Sequence, residues 1–156
     1  FGQATKPLAS LCNRHRCHFA DIQLVDFNSQ RFGLQARALA AVARMLGEEA
    51  GYRWTINGKV HGEHQPLEAK RGERIAIMFM NPSTMMHPMH LHGHHFQVVG
   101  SHAGQFAGPI RDTVIVPPHT PVMVAFDADK AGRWFLHCHH LYHMATGMMS
   151  FVSYDA

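Results

Sequence analysis

No stretch of the 156-residue chain approaches the roughly 18 consecutive apolar residues that a membrane-crossing helix needs, so no transmembrane span is expected. Charge is sparse as well: 16% of residues are Asp, Glu, Lys or Arg, and the net charge of +3 comes from 14 basic and 11 acidic residues scattered along the chain. The basic cluster or stripe that a nucleic-acid binder carries is missing, which excludes nucleic acid as an expected partner. Cysteine is scarce. Cys12, Cys17 and Cys138 are the only three, so at least one thiol stays unpaired if the other two are bridged. The chain begins at Phe1 with no initiator Met and no recognisable signal peptide, which reads as a mature, processed product or a fragment. Its length suits one domain with a substantial core.

Histidine and methionine are plentiful, at 15 and 10 residues. Imidazole and thioether are both copper ligands, the thioether favouring the cuprous ion, so composition points to a metal protein.

Residues 1–50 read as an N-terminal extension or interdomain linker. Cys12-Asn-Arg-His-Arg-Cys17 is either a small disulfide loop or a minor metal-binding loop, and Phe19 to Phe27 is β-like. Leu34, Ala38, Val42 and Met45 recur at helical spacing before Gly47, which predicts one short amphipathic helix. Residues 51–156 change character, with short strands separated by turn residues. Strands are expected at 52–56, 74–80, 96–101, 113–116, 122–127, 132–137 and 147–153, with Asn57-Gly58 and Asn81-Pro82 as turns. This region predicts an all-β domain built as a sandwich or barrel.

Two segments hold the unusual chemistry: His87 to Phe96, and His137 to Met149. Together they contain nine histidines, one cysteine and several methionines, a concentration that packing does not explain. Cys138, His143 and Met148 are spaced C-x4-H-x4-M, so one strand-to-loop turn offers thiolate, imidazole and thioether to a single ion. With His87 as second imidazole the set is that of blue copper, whereas structural zinc favours four strong ligands. Strand alternation adds a second inference. His137 and His139 must face away from Cys138, and His90 and His92 share a parity that His87 does not. Two metal sites back to back, joined through Cys138, follow from that alternation.

At these residues the chain resembles the multicopper oxidases: His87 to His94 is similar to their H-P-x-H-L-H-G-H motif, and His137 to Met148 to their H-C-H-x3-H-x4-G-M motif. Arg111 to Pro118 resembles the strand before the final hairpin in that family. The resemblance covers residues 51–156 and implies a cupredoxin-like Greek-key β-sandwich, the C-terminal domain of a larger oxidase. It implies type 1 copper on His87, Cys138 and His143 with Met148 axial, type 2 copper on His90, and the type 3 pair on His92, His137 and His139. These residues make half of a trinuclear centre, so four further histidines must come from an N-terminal cupredoxin domain or another chain. In the implied reaction a small reductant, a phenol or the cuprous ion, gives single electrons to type 1 copper, Cys138 passes them through His137 and His139, and dioxygen is reduced to water. Met85, Met86, Met89 and Met144 resemble the copper-resistance branch, in which cuprous ion is a substrate. The alternative is a free-standing blue-copper electron carrier. A periplasmic or secreted setting suits a copper thiolate.

Overall fold

A computed structural model describes residues 38–49 and 52–154, with side chains over 52–154. Twelve strands and one short helix make up this part of the chain. Strands β1 (Ala38–Glu49), β2 (Arg53–Ile56), β4 (Arg74–Met80), β6 (Phe96–Ser101), β7 (Gly104–Gln105), β8 (Ile110–Arg111) and β10 (Val122–Asp127) form one sheet in the order β2-β1-β4-β10-β6-β7, with β8 also on β6. The second sheet is ordered β3 (Leu67–Ala69), β12 (Met149–Tyr154), β11 (Gly132–Cys138), β5 (His87–Leu91) and β9 (Thr113–Val116). Helix α1 (Leu141–Ala145) lies in the connection from β11 to β12.

Alternation explains the core. In β4 the side chains of Ile75, Ile77 and Phe79 enter the main cluster between the sheets, and in β10 Val122, Val124 and Phe126 do the same. From the second sheet come Met89, Leu91, Leu136, Cys138 and Val152. The opposite face of the first sheet is also covered at its centre, where Ala76, Val99, Met123 and Ala125 form a small second cluster. The result is the expected cupredoxin-like β-sandwich, and the Asn57-Gly58 turn is present, closing Ile56 onto Lys59 with paired backbone bonds of 3.0 and 3.1 Å.

The expected helix over 34–45 is corrected. Ala38–Glu49 is a strand, parallel to β4 from Ala38↔Arg74 to Arg44↔Met80 and antiparallel to β2. The sheet therefore takes in residues from Ala38 onward. A helix satisfies its interior backbone groups locally, whereas here two neighbouring strands offer a ladder on each side, and this pairing overrides the propensity of an Ala-rich segment. The Cys12–Cys17 loop and the strand expected over 19–27 lie outside the described residues.

Phe79, with no exposed surface, sits in the middle of the main core. Phe79→Ala is expected to destabilise the fold by about 3–5 kcal/mol, from lost burial and the cavity left behind, read as a lower denaturation midpoint at unchanged slope.

Candidate metal centre

Strands β5 and β11 run antiparallel with His90 opposite His137 and Met89 opposite Cys138. Directly opposed residues share a face, so this register sorts the ligand-type side chains into two groups. His87, Met89 and Cys138 face the core, while His90 and His137 face outward. The separation expected from strand alternation is thus present, and it is carried by one pair of strands.

The inner group is His87, Cys138 and His143, whose ligand atoms all lie within 4.8 Å of one another and all of which are buried. His87 and His143 turn Nδ1 toward each other at 3.1 Å, and each Nδ1 stands 3.8 Å from Cys138 Sγ. Such edges are what three donors make when one ion with bonds of roughly 2.0–2.3 Å sits among them. No carboxylate joins the set, which suits a soft or borderline transition metal better than calcium or magnesium. Met148 is wholly buried. The loop that carries it is tied to the same strand: Cys138 N–H donates to the Met148 carbonyl at 3.0 Å, and Met148 N–H to that of His143 at 2.9 Å.

Apart from the contacts of its Nδ1 with His87 and Cys138, His143 is held by stacking. Trp54 lies on one face of its ring at 3.9 Å and 22°, and exposed His140 stacks on it at 4.1 Å and 24°. Its Nε2 is buried without a hydrogen-bond partner. Burial, reinforced by neighbouring imidazoles, pushes His87 and His143 down to about 4, so both rings are neutral at physiological pH. Burial pushes the Cys138 thiol up to about 11, partly offset by the His140 N–H on its sulfur at 3.4 Å.

The outer group is His90, His92 and His137. His92 Nε2 and His137 Nε2 are 2.9 Å apart, His137 Nδ1–H donates to the Cys138 carbonyl at 3.0 Å, and His90 Nδ1–H to that of Asp112 at 2.9 Å. Occupying Nδ1 in this way leaves Nε2 of His90 and His137 as the free ligand atom. Burial first, then the neighbouring imidazoles, lowers His92 and His137 below the usual histidine range. His139 is exposed and stands at the margin, with ring centroids 5.7 Å from His90 and 5.8 Å from His137.

Two residues outside the expected ligand set prove structural here. His94 is buried, with Nδ1–H donating to the His92 carbonyl and Nε2 accepting from Tyr154 Oη at 2.5 Å, so it anchors the turn that presents His92. Trp54 carries no motif signal, yet it supports His143. His61, His95, His102 and His119 are exposed and stand outside both groups.

Fold and inner site together define a cupredoxin-type domain with a buried His-Cys-His set able to hold a metal. The profile of the multicopper oxidase family matches residues 36–155. Multicopper oxidase MmcO of Mycobacterium tuberculosis is 41% identical over 108 residues, covering 69% of this chain and 21% of that protein. Copper resistance protein A of Escherichia coli is 38% identical over 104 residues, covering 67% and 17%. The McoA multicopper oxidase structure from the hyperthermophile Aquifex aeolicus aligns with a TM-score of 0.67 at 28% identity, over 86% of this chain and 32% of that one. The chain belongs to the multicopper oxidase family, whose members bind copper. It spans about a fifth of the length of these curated relatives.

With both imidazoles neutral above about pH 4 and the thiol protonated below about pH 11, each ion bound near neutrality displaces the Cys138 proton. Cobalt(II) titrated calorimetrically in two buffers of different ionisation enthalpy should release about one proton per ion, with affinity rising about tenfold per pH unit. The same depressed imidazoles make the metal-free fold bind fewer protons than the unfolded chain, so its melting temperature should fall as pH drops from about 6.5 toward 4. Gly147 has φ +128°, and a Cβ there would meet Val60 Cγ1 at 2.6 Å and the Trp54 carbonyl at 2.8 Å. Gly147→Ala should destabilise the chain by roughly 1–3 kcal/mol and loosen the His143 loop, seen as a lower melting temperature and weaker cobalt binding.

Proposed function

We propose that this chain is the C-terminal copper domain of a multicopper oxidase. His87, Cys138 and His143, with Met148 as a thioether donor, would hold type 1 copper; His90 would bind type 2 copper, and His92, His137 and His139 the type 3 pair. Copper bound at these positions would supply one-electron acceptance at the inner site and, once the outer one is completed, reduction of dioxygen to water. The back-to-back placement of the two groups across β5 and β11 is the observation that supports this reading.

The chain's own residues do three things in this scheme. The sandwich excludes water from the inner set, all three of whose members are buried. Cys138 is bonded through the backbone to both His137 and His139, and the His137 ring returns a hydrogen bond to the Cys138 carbonyl, so the groups share a short covalent path. Exposed His140, stacked on His143, reaches from the inner set to solvent, where a small reductant (a phenol or the cuprous ion) would deliver electrons. The outer group is partly exposed and offers four imidazoles at most, in keeping with completion by four histidines of an N-terminal cupredoxin domain or another chain. Relatives about five times longer than the matched region support such a larger assembly. A copper thiolate of this kind is suited to the periplasm or the extracellular space. Among the described residues no helix is long and apolar enough to cross a membrane.

Copper content with visible and EPR spectra tests this. Intense blue colour and about four coppers per assembled unit, with type 2 and type 3 signals once the partner is present, are expected. A chain that is blue with about one copper and gains none with any partner would be a free-standing electron carrier. No blue band in copper-loaded protein would sink the type 1 assignment. Met148→Leu should keep the blue colour and raise the reduction potential, because losing a fourth donor leaves a lower coordination number, which suits cuprous better than cupric ion; titration showing no rise would remove Met148 from the site.

A further inference from the structure

Asn81 directly follows strand β4 and is only 2% exposed, yet its side-chain amide fills every bonding capacity it has. Nδ2 donates to the carbonyls of Met85 at 2.7 Å and Val116 at 3.0 Å. Only an NH2 group can meet two carbonyl oxygens, so the amide cannot be turned over. Oδ1 therefore faces Ser83, accepting its backbone N–H at 3.0 Å and its hydroxyl at 2.7 Å.

That contact commits the Ser83 proton. An oxygen–oxygen separation of 2.7 Å requires a hydrogen between the two atoms, and an amide oxygen carries none. The Met85 carbonyl, 3.2 Å from Ser83 Oγ, is a second acceptor for the same proton, and the Met85 N–H points at that oxygen from 3.3 Å. The remaining neighbour of Ser83 Oγ is His87 Nε2 at 2.9 Å. With the hydroxyl proton spoken for, the ring nitrogen must be the donor. A neutral imidazole has one N–H, so Nδ1 of His87 is left with its lone pair, and Nδ1 is the atom turned toward His143 and Cys138.

We infer that Asn81 and Ser83 are positioning residues that lock His87 in its Nε2–H tautomer, presenting Nδ1 as a ready ligand to copper in the inner group. The role of copper in this statement rests on the function proposed above; the tautomer does not. Asn81 also accepts the His119 N–H on its backbone carbonyl at 2.7 Å, so the relay that orients His87 is built into the junction of β4, the His87 approach and the end of β9. His143 has nothing equivalent: stacking fixes its ring, and its Nε2 is unpartnered.

Long-range proton–nitrogen correlation spectra of the metal-free full chain read the tautomer without any copper present. His87 is expected to carry its proton on Nε2 alone in the wild type. In Ser83→Ala the Nδ1–H form should become populated, and Ser83→Thr, which keeps the hydroxyl, should restore the wild-type pattern. Cuprous ion affinity, measured by competition with a chromogenic chelator, should weaken by roughly tenfold or more in Ser83→Ala, the usual range when a partner behind a metal ligand is removed, and recover in Ser83→Thr. A wild-type His87 protonated on Nδ1, or a Ser83→Ala chain with unchanged tautomer or unchanged cuprous affinity, would overturn the inference. Copper-loaded wild type without a blue band would defeat the copper reading instead, while the tautomer spectra still decide this one.

Discussion

Everything at the metal centre depends on one register, His90 opposite His137 and Met89 opposite Cys138. A slip of one residue between β5 and β11 would exchange the faces, sending imidazoles into the core and the cysteine to the outside. The register is held from both sides. On the inner face Met89, Leu91, Leu136 and Cys138 are buried together, and on the far edges β9 pairs with β5 and β12 with β11. The hydrophobic core that stabilises the sandwich is therefore the same set of contacts that places the ligand-type side chains.

Burying two neutral imidazoles and a protonated thiol in that core is not free. Their displaced titration directions record the desolvation, and the unpartnered Nε2 of His143 adds a buried donor or acceptor left unmet, an effect of about 1–3 kcal/mol. The surrounding aromatic and hydrogen-bonded contacts offset that cost: Trp54 covers His143 and lies edge-on to His87 at 5.1 Å, and Ser83 Oγ accepts a hydrogen bond from His87 Nε2–H. The two rings are fixed before any ion arrives. Such a site gains its affinity from arrangement already made rather than from ordering at the moment of binding.

Strand alternation made much of this legible in the chain. The parity of His137, Cys138 and His139 and of His87, His90 and His92 separates two groups without any coordinates, and seven strand positions read from periodicity and turns match observed strands closely. What stayed hidden has physical causes. Strand β5 carries Pro88 and two histidines, which erase the apolar alternation that marks a strand, although Pro is tolerated where its missing N–H faces no ladder partner. Helix α1 is five residues long with no side-chain cap, too short for any periodic signal. Ala38–Glu49 shows helical spacing because its apolar residues are many, and only its two neighbouring strands decide otherwise. Asn81-Pro82-Ser83 reads as a turn, and the chain bends at 83–85; that the same residues also aim His87 depends on Met85 and Val116 carbonyls that no local pattern brings together.

The two groups differ in a way that bears on how the domain would work. The inner one is buried, with hydrogen-bonded support behind His87 and stacking on His143. The outer one leaves His92 and His139 exposed and His90 half-buried, with His94 and Tyr154 bracing only the turn behind His92. A site that must receive further ligands from outside has to keep an open face, and its rings need support from behind alone. A site that only exchanges electrons has no such need and can be sealed. Placing both on opposite faces of the same two strands would let one fold satisfy these opposed demands, with Cys138 of the sealed face bonded through the backbone to His137 and His139 of the open one.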